Sequence, residues 1–340
     1  MSRYEPVESP DTTTIFPYHD LTPPTMRDVY DARTVVSRHL PHTPLVRSDA
    51  LSAELDADVY LKREDTLPTG AFKVRGGINL VSQLDEAFRE AGLIAASTGN
   101  HGQSIAYAGK QFGVPVHIAV PEDANPDKVA AMERFGATVH HRGDSFDEAR
   151  EWAERQAVAE GYRYVHSANE PALIAGIGTA GVEVLEDLPS VDYIFCPIGG
   201  GSSASAFSLT VGDAGDAEVV GVQSAAAPGA YQAWAEGTLE PADRMETFAE
   251  GIATSVPFAL TTEILRDHLS DFLLVEDEAL KRGVVSMFER EHIVMEGACA
   301  ASLAGARKMA DEIAGSTVVL QVSGRNIDSA TFLNLLESRD

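Results

Sequence analysis

From residue 58 onward, short runs of apolar, often β-branched residues alternate with longer stretches in which apolar positions recur every three to four residues. The short runs predict strands at Asp58–Arg63, Leu93–Ser97, Val116–Val120, Thr138–His141, Tyr162–His166, Tyr193–Ile198, Val219–Gln223 and Val318–Val322. Two of the intervening helices carry start signals. Asn125 and Pro126 open one, with a cap and a proline at the first helical position, and Gly136 closes it. Ser145 caps another, with Glu148 three residues on as in a capping box. Strands separated by helices read as mostly parallel sheets covered by helices, an α/β fold. The 340 residues suffice for about two domains, yet no repeat and no Gly/Ser/Pro-rich linker divides them.

Charge narrows the function. Asp and Glu number 52 against 26 Lys and Arg, a net charge of −26. Such a surface repels phosphate backbones and anionic lipid headgroups, so nucleic-acid and membrane partners are not expected. No apolar run reaches the roughly 18 residues of a membrane span. Met1–Thr25 is polar and proline-rich, without the basic and apolar regions of a secretory signal, and reads as an arm or strap. Cys196 and Cys299 are too few for a disulfide framework and fit a reducing cytoplasm. The acidic excess is spread along the whole chain, as in a surface kept solvated at high salt, a halophilic trait.

Candidate chemistry sits where strands run into small-residue turns, the place at which α/β sheets bind ligands. The first such turn is Ser97-Thr98-Gly99-Asn100-His101, whose amides at a helix start can hold a carboxylate. The second is Gly199-Gly200-Gly201-Ser202, directly after an apolar strand. Its successive amides form a phosphate cradle, and it lacks the Gly-Lys-Ser/Thr ending of a nucleotide loop. The third, Val322–Asn326, is weaker. Gly176, Gly178 and Gly181 match the dinucleotide fingerprint GxGxxG, but a helix start rather than a strand precedes them, so close helix packing accounts for them.

Only six of the cations are lysines, at positions 62, 73, 110, 128, 281 and 308. Lys73 stands beside Phe72 and a glycine turn. A lysine against apolar neighbours has a lowered pKa and can form a Schiff base with a carbonyl. A reactive lysine plus a phosphate cradle points to pyridoxal phosphate.

At these motifs the chain resembles the fold-type II pyridoxal-phosphate family of threonine/serine dehydratases and serine racemases. The resemblance runs from about Thr43 to Ile327. It includes Leu61–Gly77 (LKREDTLPTGAFKVRGG), Ser97–Ala108 (STGNHGQSIAYA), Pro121–Ala137, Asn169–Gly181, Pro197–Ser202, the run around Glu296 and Val322–Asn326. It implies a tryptophan synthase β-like fold of two open twisted, mostly parallel sheets. Residues 86–168 would form a small mobile domain, and residues 1–85 with 169–340 a large one. It further implies that Lys73 carries the cofactor and removes the substrate α-proton, and that Gly199, Gly200, Gly201 and Ser202 hold the phosphate. By the same resemblance Asn100 reaches the ring hydroxyl, Phe72 packs near the ring, Ser323 faces the ring nitrogen and Glu296 lies at the ring's edge. Ser97, Thr98, Asn100 and His101 would bind the substrate carboxylate. The implied activity is β-elimination from a hydroxyamino acid, giving a 2-oxo acid and ammonia, in a dimer or tetramer. Alternatives within the resemblance are a serine racemase, a 3-hydroxyaspartate dehydratase, a β-replacement enzyme and a non-catalytic cofactor-binding protein.

Four departures from the family pattern matter. The phosphate loop has three glycines and a serine where four glycines are usual. Arg325 replaces a glycine. Thr98 occupies the position at which racemases place a serine acid/base, so racemisation stays open there. Gln223–Gly229 lacks the carboxylates of the family's divalent-metal site, so no magnesium or calcium is expected there, while potassium on carbonyls stays open. His101, His140 and His141 lack zinc-ligand spacing. The chain stops soon after Asn326, leaving no room for a C-terminal regulatory domain, and insensitivity to isoleucine is the expectation.

Overall fold

The structure, a computed structural model, describes residues 21–254 and 256–338. The proline-rich arm read from the first 25 residues lies outside the described residues as far as residue 20. Among the described residues, ten strands form two sheets: β1 (Leu45–Arg47), β2 (Asp58–Arg63), β3 (Leu93–Ala96), β4 (Val116–Val120), β5 (Thr138–His141), β6 (Arg163–Tyr164), β7 (Tyr193–Pro197), β8 (Glu218–Ser224), β9 (Asp271–Val275) and β10 (Thr317–Val322). The larger sheet has the order β1-β2-β10-β7-β8-β9 and the smaller β5-β4-β3-β6. Every pairing is parallel except β1 against β2. The chain enters the small sheet after β2 and returns to the large one at β7, which is why no linker composition marks the passage.

Both faces of both sheets are covered. Along β3, Leu93 and Ala95 enter one core and Ile94 and Ala96 another. Along β7 and β10, Phe195, Val318 and Leu320 face one core while Ile194, Cys196 and Val319 face the opposite one. Strands buried on two sides have no polar face, and this produces the continuous apolar runs of the sequence.

All eight expected strands are present, β2, β4 and β5 with the expected bounds and the others with ends shifted by one or two residues. β1 and β9 were not legible. β1 is three residues long and partly exposed, and the sequence of β9, Asp271–Val275, alternates weakly in burial. The Asn125 cap forms, its side chain accepting from Asp127 N–H, and Gly136 follows with φ +93°. The Ser145 capping box is half made. Ser145 Oγ accepts from Glu148 N–H at 3.2 Å, but Glu148 Oε2 takes the N–H of Asp144 at 2.6 Å, one residue before the cap. Gly176, Gly178 and Gly181 lie inside the helix Pro171–Asp187 and face Gly76, Val29 and Thr210, so they serve helix packing.

A buried ionic network locks the helix Val74–Ser82. Arg75, fully buried, donates to Glu64 Oε2 at 2.6 Å and to Glu183 Oε1 at 2.8 Å, and Lys62 reaches Glu183 Oε2 at 2.7 Å. Burial alone would raise the Glu183 carboxyl, but Arg75 and Lys62 outweigh it and hold its pKa at about 2. Each charge here has a partner, as buried charges require.

Candidate active site

The C-terminal ends of β2, β7 and β10 meet the C-terminal end of β3, and the candidate residues gather at that meeting. Lys73 directly precedes the helix anchored by Arg75. Its carbonyl accepts from Ser104 Oγ at 2.7 Å, and its neighbour Phe72 donates its N–H to Ser323 O at 3.0 Å. The Lys73 amine stands 5.1 Å from the centre of the Phe72 ring. It makes no hydrogen bond or ion pair among the described residues. Burial lowers its pKa to about 8, against the opposing pull of Glu296.

The loop Gly199–Ser202 follows β7 and opens the helix Ser202–Phe207. Among the described residues, the N–H groups of Gly200, Gly201 and Ser202 find no acceptor. A Cβ at Gly199 would meet the Gly251 carbonyl and come within 3.2 Å of Ile252 Cα. One at Gly200 would lie 3.0 Å from the Phe258 ring, and Gly201 has φ +85°. Thr261 Oγ1 donates to the Gly200 carbonyl at 2.7 Å and fixes the loop. The loop is therefore a close-walled cradle of donors awaiting acceptors.

The loop after β3 is shaped by Ser97, whose buried Oγ accepts the N–H groups of Gly99 at 3.2 Å and Gly102 at 2.9 Å. Thr98 is half-buried. His101 turns away from this loop. Its Nε2 lies 3.1 Å from the Val165 carbonyl and so carries the proton, and burial, then Lys73, holds the ring's pKa near about 3. The ring is neutral with its donor committed, so an anion at this helix start would be held by backbone N–H groups and the Ser97, Thr98 and Asn100 side chains.

Asn100 is the hinge of a four-residue chain. Its Nδ2 donates to Glu296 Oε1 at 2.8 Å, and its Oδ1 accepts from Asn326 Nδ2 at 2.6 Å. Asn326 also donates to the Thr69 carbonyl at 2.8 Å. Burial raises the Glu296 carboxyl to about 7, with the Asn100 hydrogen bond opposing. Ser323, buried at the end of β10, lies between the Lys73 loop and the helix Ala300–Lys308. Arg325 is exposed, and its backbone N–H donates to Gly70 O at 2.9 Å. The structure thus brings together Lys73, Phe72, Asn100, Glu296 and Ser323, with the 97–101 and 199–202 loops.

Sequence reasoning missed three contributors. Asn326 lay inside a quoted motif but had no assigned role. His166 is buried, and its Nδ1 accepts from Ala168 and Asn169 N–H groups at 3.0 and 2.9 Å. Burial, then His101, Arg150 and Lys73, keeps it neutral with a pKa of about 3. Lys128, on the helix Pro126–Arg134, forms an ion pair with Glu250 beside Gly251, bridging the two sheets' loops. No local pattern announces a contact between residues 122 positions apart. At the segment after β8, Asp277 approaches from a distant helix, but its oxygens accept from Ser224 Oγ, Thr247 Oγ1 and the Phe248 N–H. Among the described residues no three His, Cys, Asp or Glu side chains gather as a metal site, and no helix is long and apolar enough to cross a membrane.

The chemistry of this donor set fits pyridoxal phosphate. A desolvated primary amine suits its aldehyde, a cradle too close for a Cβ suits its phosphate, and a neutral hydroxyl is at hand for its ring nitrogen. Comparison with known proteins agrees. The chain is 35% identical over 305 residues to the L-threonine ammonia-lyase of Thermotoga maritima, covering 89% of this chain and 76% of that one. It is 34% identical to the L-threo-3-hydroxyaspartate ammonia-lyase of Saccharomyces cerevisiae, covering 93% and 98%. Maize serine racemase superposes with a TM-score of 0.87 at 26% identity, covering 93% and 98%. Residues 36–324 match the family described as pyridoxal-phosphate dependent enzyme, and with that match over most of its length the chain belongs to this family of enzymes.

Proposed function

We propose that this protein is a threonine/serine ammonia-lyase, converting a hydroxyamino acid to a 2-oxo acid and ammonia. The observation that carries the reading is the Lys73 amine, desolvated and without an ion-pair partner among the described residues of a strongly acidic chain. Relatives that share most of the chain are named for ammonia loss from threonine and hydroxyaspartate.

In this reading Gly199, Gly200, Gly201 and Ser202 would hold the cofactor phosphate, Asn100 would meet the ring hydroxyl, Phe72 and Glu296 would flank the ring, and Ser323 would face its nitrogen. Ser97, Thr98 and Asn100, with the first N–H groups of the helix that carries His101, hold the substrate carboxylate. Bound pyridoxal phosphate supplies an aldehyde for amine capture and a ring that spreads the charge left at the substrate's α-carbon. Lys73 Nζ, its pKa lowered to about 8 by burial, would take the α-proton and return a proton as the β-hydroxyl departs. Ser323 is a hydroxyl rather than a carboxylate, so it would favour an unprotonated ring nitrogen, a weaker electron sink that would suit elimination over transamination.

Residues 86–168 are proposed to form a lobe that closes over the site and excludes water, with the Lys128–Glu250 and Asn100–Glu296 contacts spanning the gap. We assign the enzyme to a cytoplasmic homo-oligomer with a salt-adapted surface. The test is product identity from threonine, serine and 3-hydroxyaspartate. Accumulation of 2-oxobutanoate or pyruvate supports the reading, oxaloacetate alone moves it to hydroxyaspartate, and no 2-oxo acid from any of them overturns it. Racemisation is the second reading, carried by the half-buried Thr98 hydroxyl. D-serine appearing with the wild type and vanishing in Thr98→Ala would support it.

A further inference from the structure

Ser323 is held by its backbone from two sides. Its carbonyl accepts the N–H of Phe72, the residue beside Lys73, at 3.0 Å. Its own N–H is buried at the point where the parallel ladder of β10 ends, and it donates to Cys299 Sγ at 3.2 Å. A buried N–H needs an acceptor, and among the described residues this sulfur is the one it has. Cys299 is equally fixed. It is the N-cap residue of the helix Ala300–Lys308, its N–H donates to Glu296 O at 3.0 Å, and its thiol reaches the Gln321 carbonyl at 3.9 Å. Cys299 is 2% exposed, and burial pushes its thiol up to about 12, so it remains S–H and is inert as a nucleophile.

We propose that Cys299 is a positioning residue, whose sulfur sets the place of Ser323 and through it the environment of the cofactor's ring nitrogen. The inference rests on the assignment of Ser323 made above. The sulfur takes the Ser323 N–H directly, so it fixes where the serine backbone leaves the end of β10. The link also runs through Glu296, since the Glu296 N–H donates to Gly324 O at 3.2 Å and Cys299 caps the same turn. Cys299 therefore couples the ring-nitrogen and ring-edge sides of the site.

The test uses five proteins, wild type, Cys299→Ala, Cys299→Ser, Ser323→Ala and the variant combining Cys299→Ala with Ser323→Ala, stripped of cofactor and titrated with pyridoxal phosphate. Two quantities are read: the dissociation constant, and the pH at which the cofactor's visible band changes. Loss of one buried hydrogen bond predicts about three- to tenfold weaker binding in Cys299→Ala. Its band should titrate with a shift of the same sign as in Ser323→Ala. Cys299→Ser, which keeps an acceptor, should restore both quantities, and adding Cys299→Ala to Ser323→Ala should change the titration no further. Wild-type values in Cys299→Ala alongside altered values in Ser323→Ala would overturn the inference. Wild-type values in Ser323→Ala would instead overturn the assignment of Ser323, and the inference with it. If Cys299→Ala does not fold, Cys299→Val, similar in volume but without an acceptor, is read in its place by the same criteria.

Discussion

Asn100 Nδ2 lies 2.8 and 3.1 Å from the two carboxylate oxygens of Glu296, so a residue at the end of the small sheet is held by one packed on the large sheet. The same carboxyl feels Lys73 and Lys128. The charge state of Glu296 therefore bears on the amine and on the contact between the sheets together.

The first consequence is a titration. With a pKa of about 8, half of the Lys73 amines are neutral at pH 8, against roughly one in 300 for an ordinary lysine. The neutral amine is the nucleophile, so borohydride-trapped capture of an aromatic aldehyde by the cofactor-free protein should rise with pH and reach half its maximum near pH 8. Glu296 raises the Lys73 pKa, so Glu296→Gln should move that midpoint to lower pH. Lys73→Ala should abolish both trapping at this site and turnover, and full turnover in that variant would refute the mechanism.

Gly199→Ala places a Cβ against the Gly251 carbonyl and 3.2 Å from Ile252 Cα, where backbone must move. Cofactor affinity should fall at least about tenfold, roughly 1.4 kcal/mol. Equilibrium dialysis of the cofactor measures this.

Removing one partner of the buried network should be severe. Arg75→Met leaves Glu64 and Glu183 buried without their main cation, at a cost of about 3–5 kcal/mol, readable by urea unfolding. The pH dependence has a definite sign. The folded-state pKa of Glu183 is about 2, below the ordinary glutamate value of 4.5. Its contribution is complete above pH 4.5 and is lost as pH falls from there toward 2. The acid limb of the stability curve should flatten in Glu183→Gln.

Net self-repulsion from a charge of −26 is screened by salt, since the Debye length falls to about 3 Å at 1 M. The melting temperature should rise steadily from low to molar KCl. A flat or falling curve would remove the case for a salt-adapted surface.

Much of this molecule is present in its sequence. Two-sided burial forces the apolar runs of β3, β7 and β10, and alternation with helices then leaves a parallel sheet as the consistent arrangement. The small-residue turns at Ser97 and Gly199 were visible for the same reason, because a backbone that must approach a ligand closely excludes side chains. Lys73 stood out through the scarcity of lysine beside an aromatic. What tertiary structure decided is which distant groups meet these turns. It gave Lys73 a pKa near 8 through burial and Glu296, committed His101 to the Val165 carbonyl, and set Cys299 against Ser323. These contacts join residues separated by 223, 64 and 24 positions, and local propensity and periodicity carry no information at such range. Hydrogen-bond geometry and desolvation arise only once the strands are in register, so the sequence determined where the chemistry sits and the packing determined its protonation states.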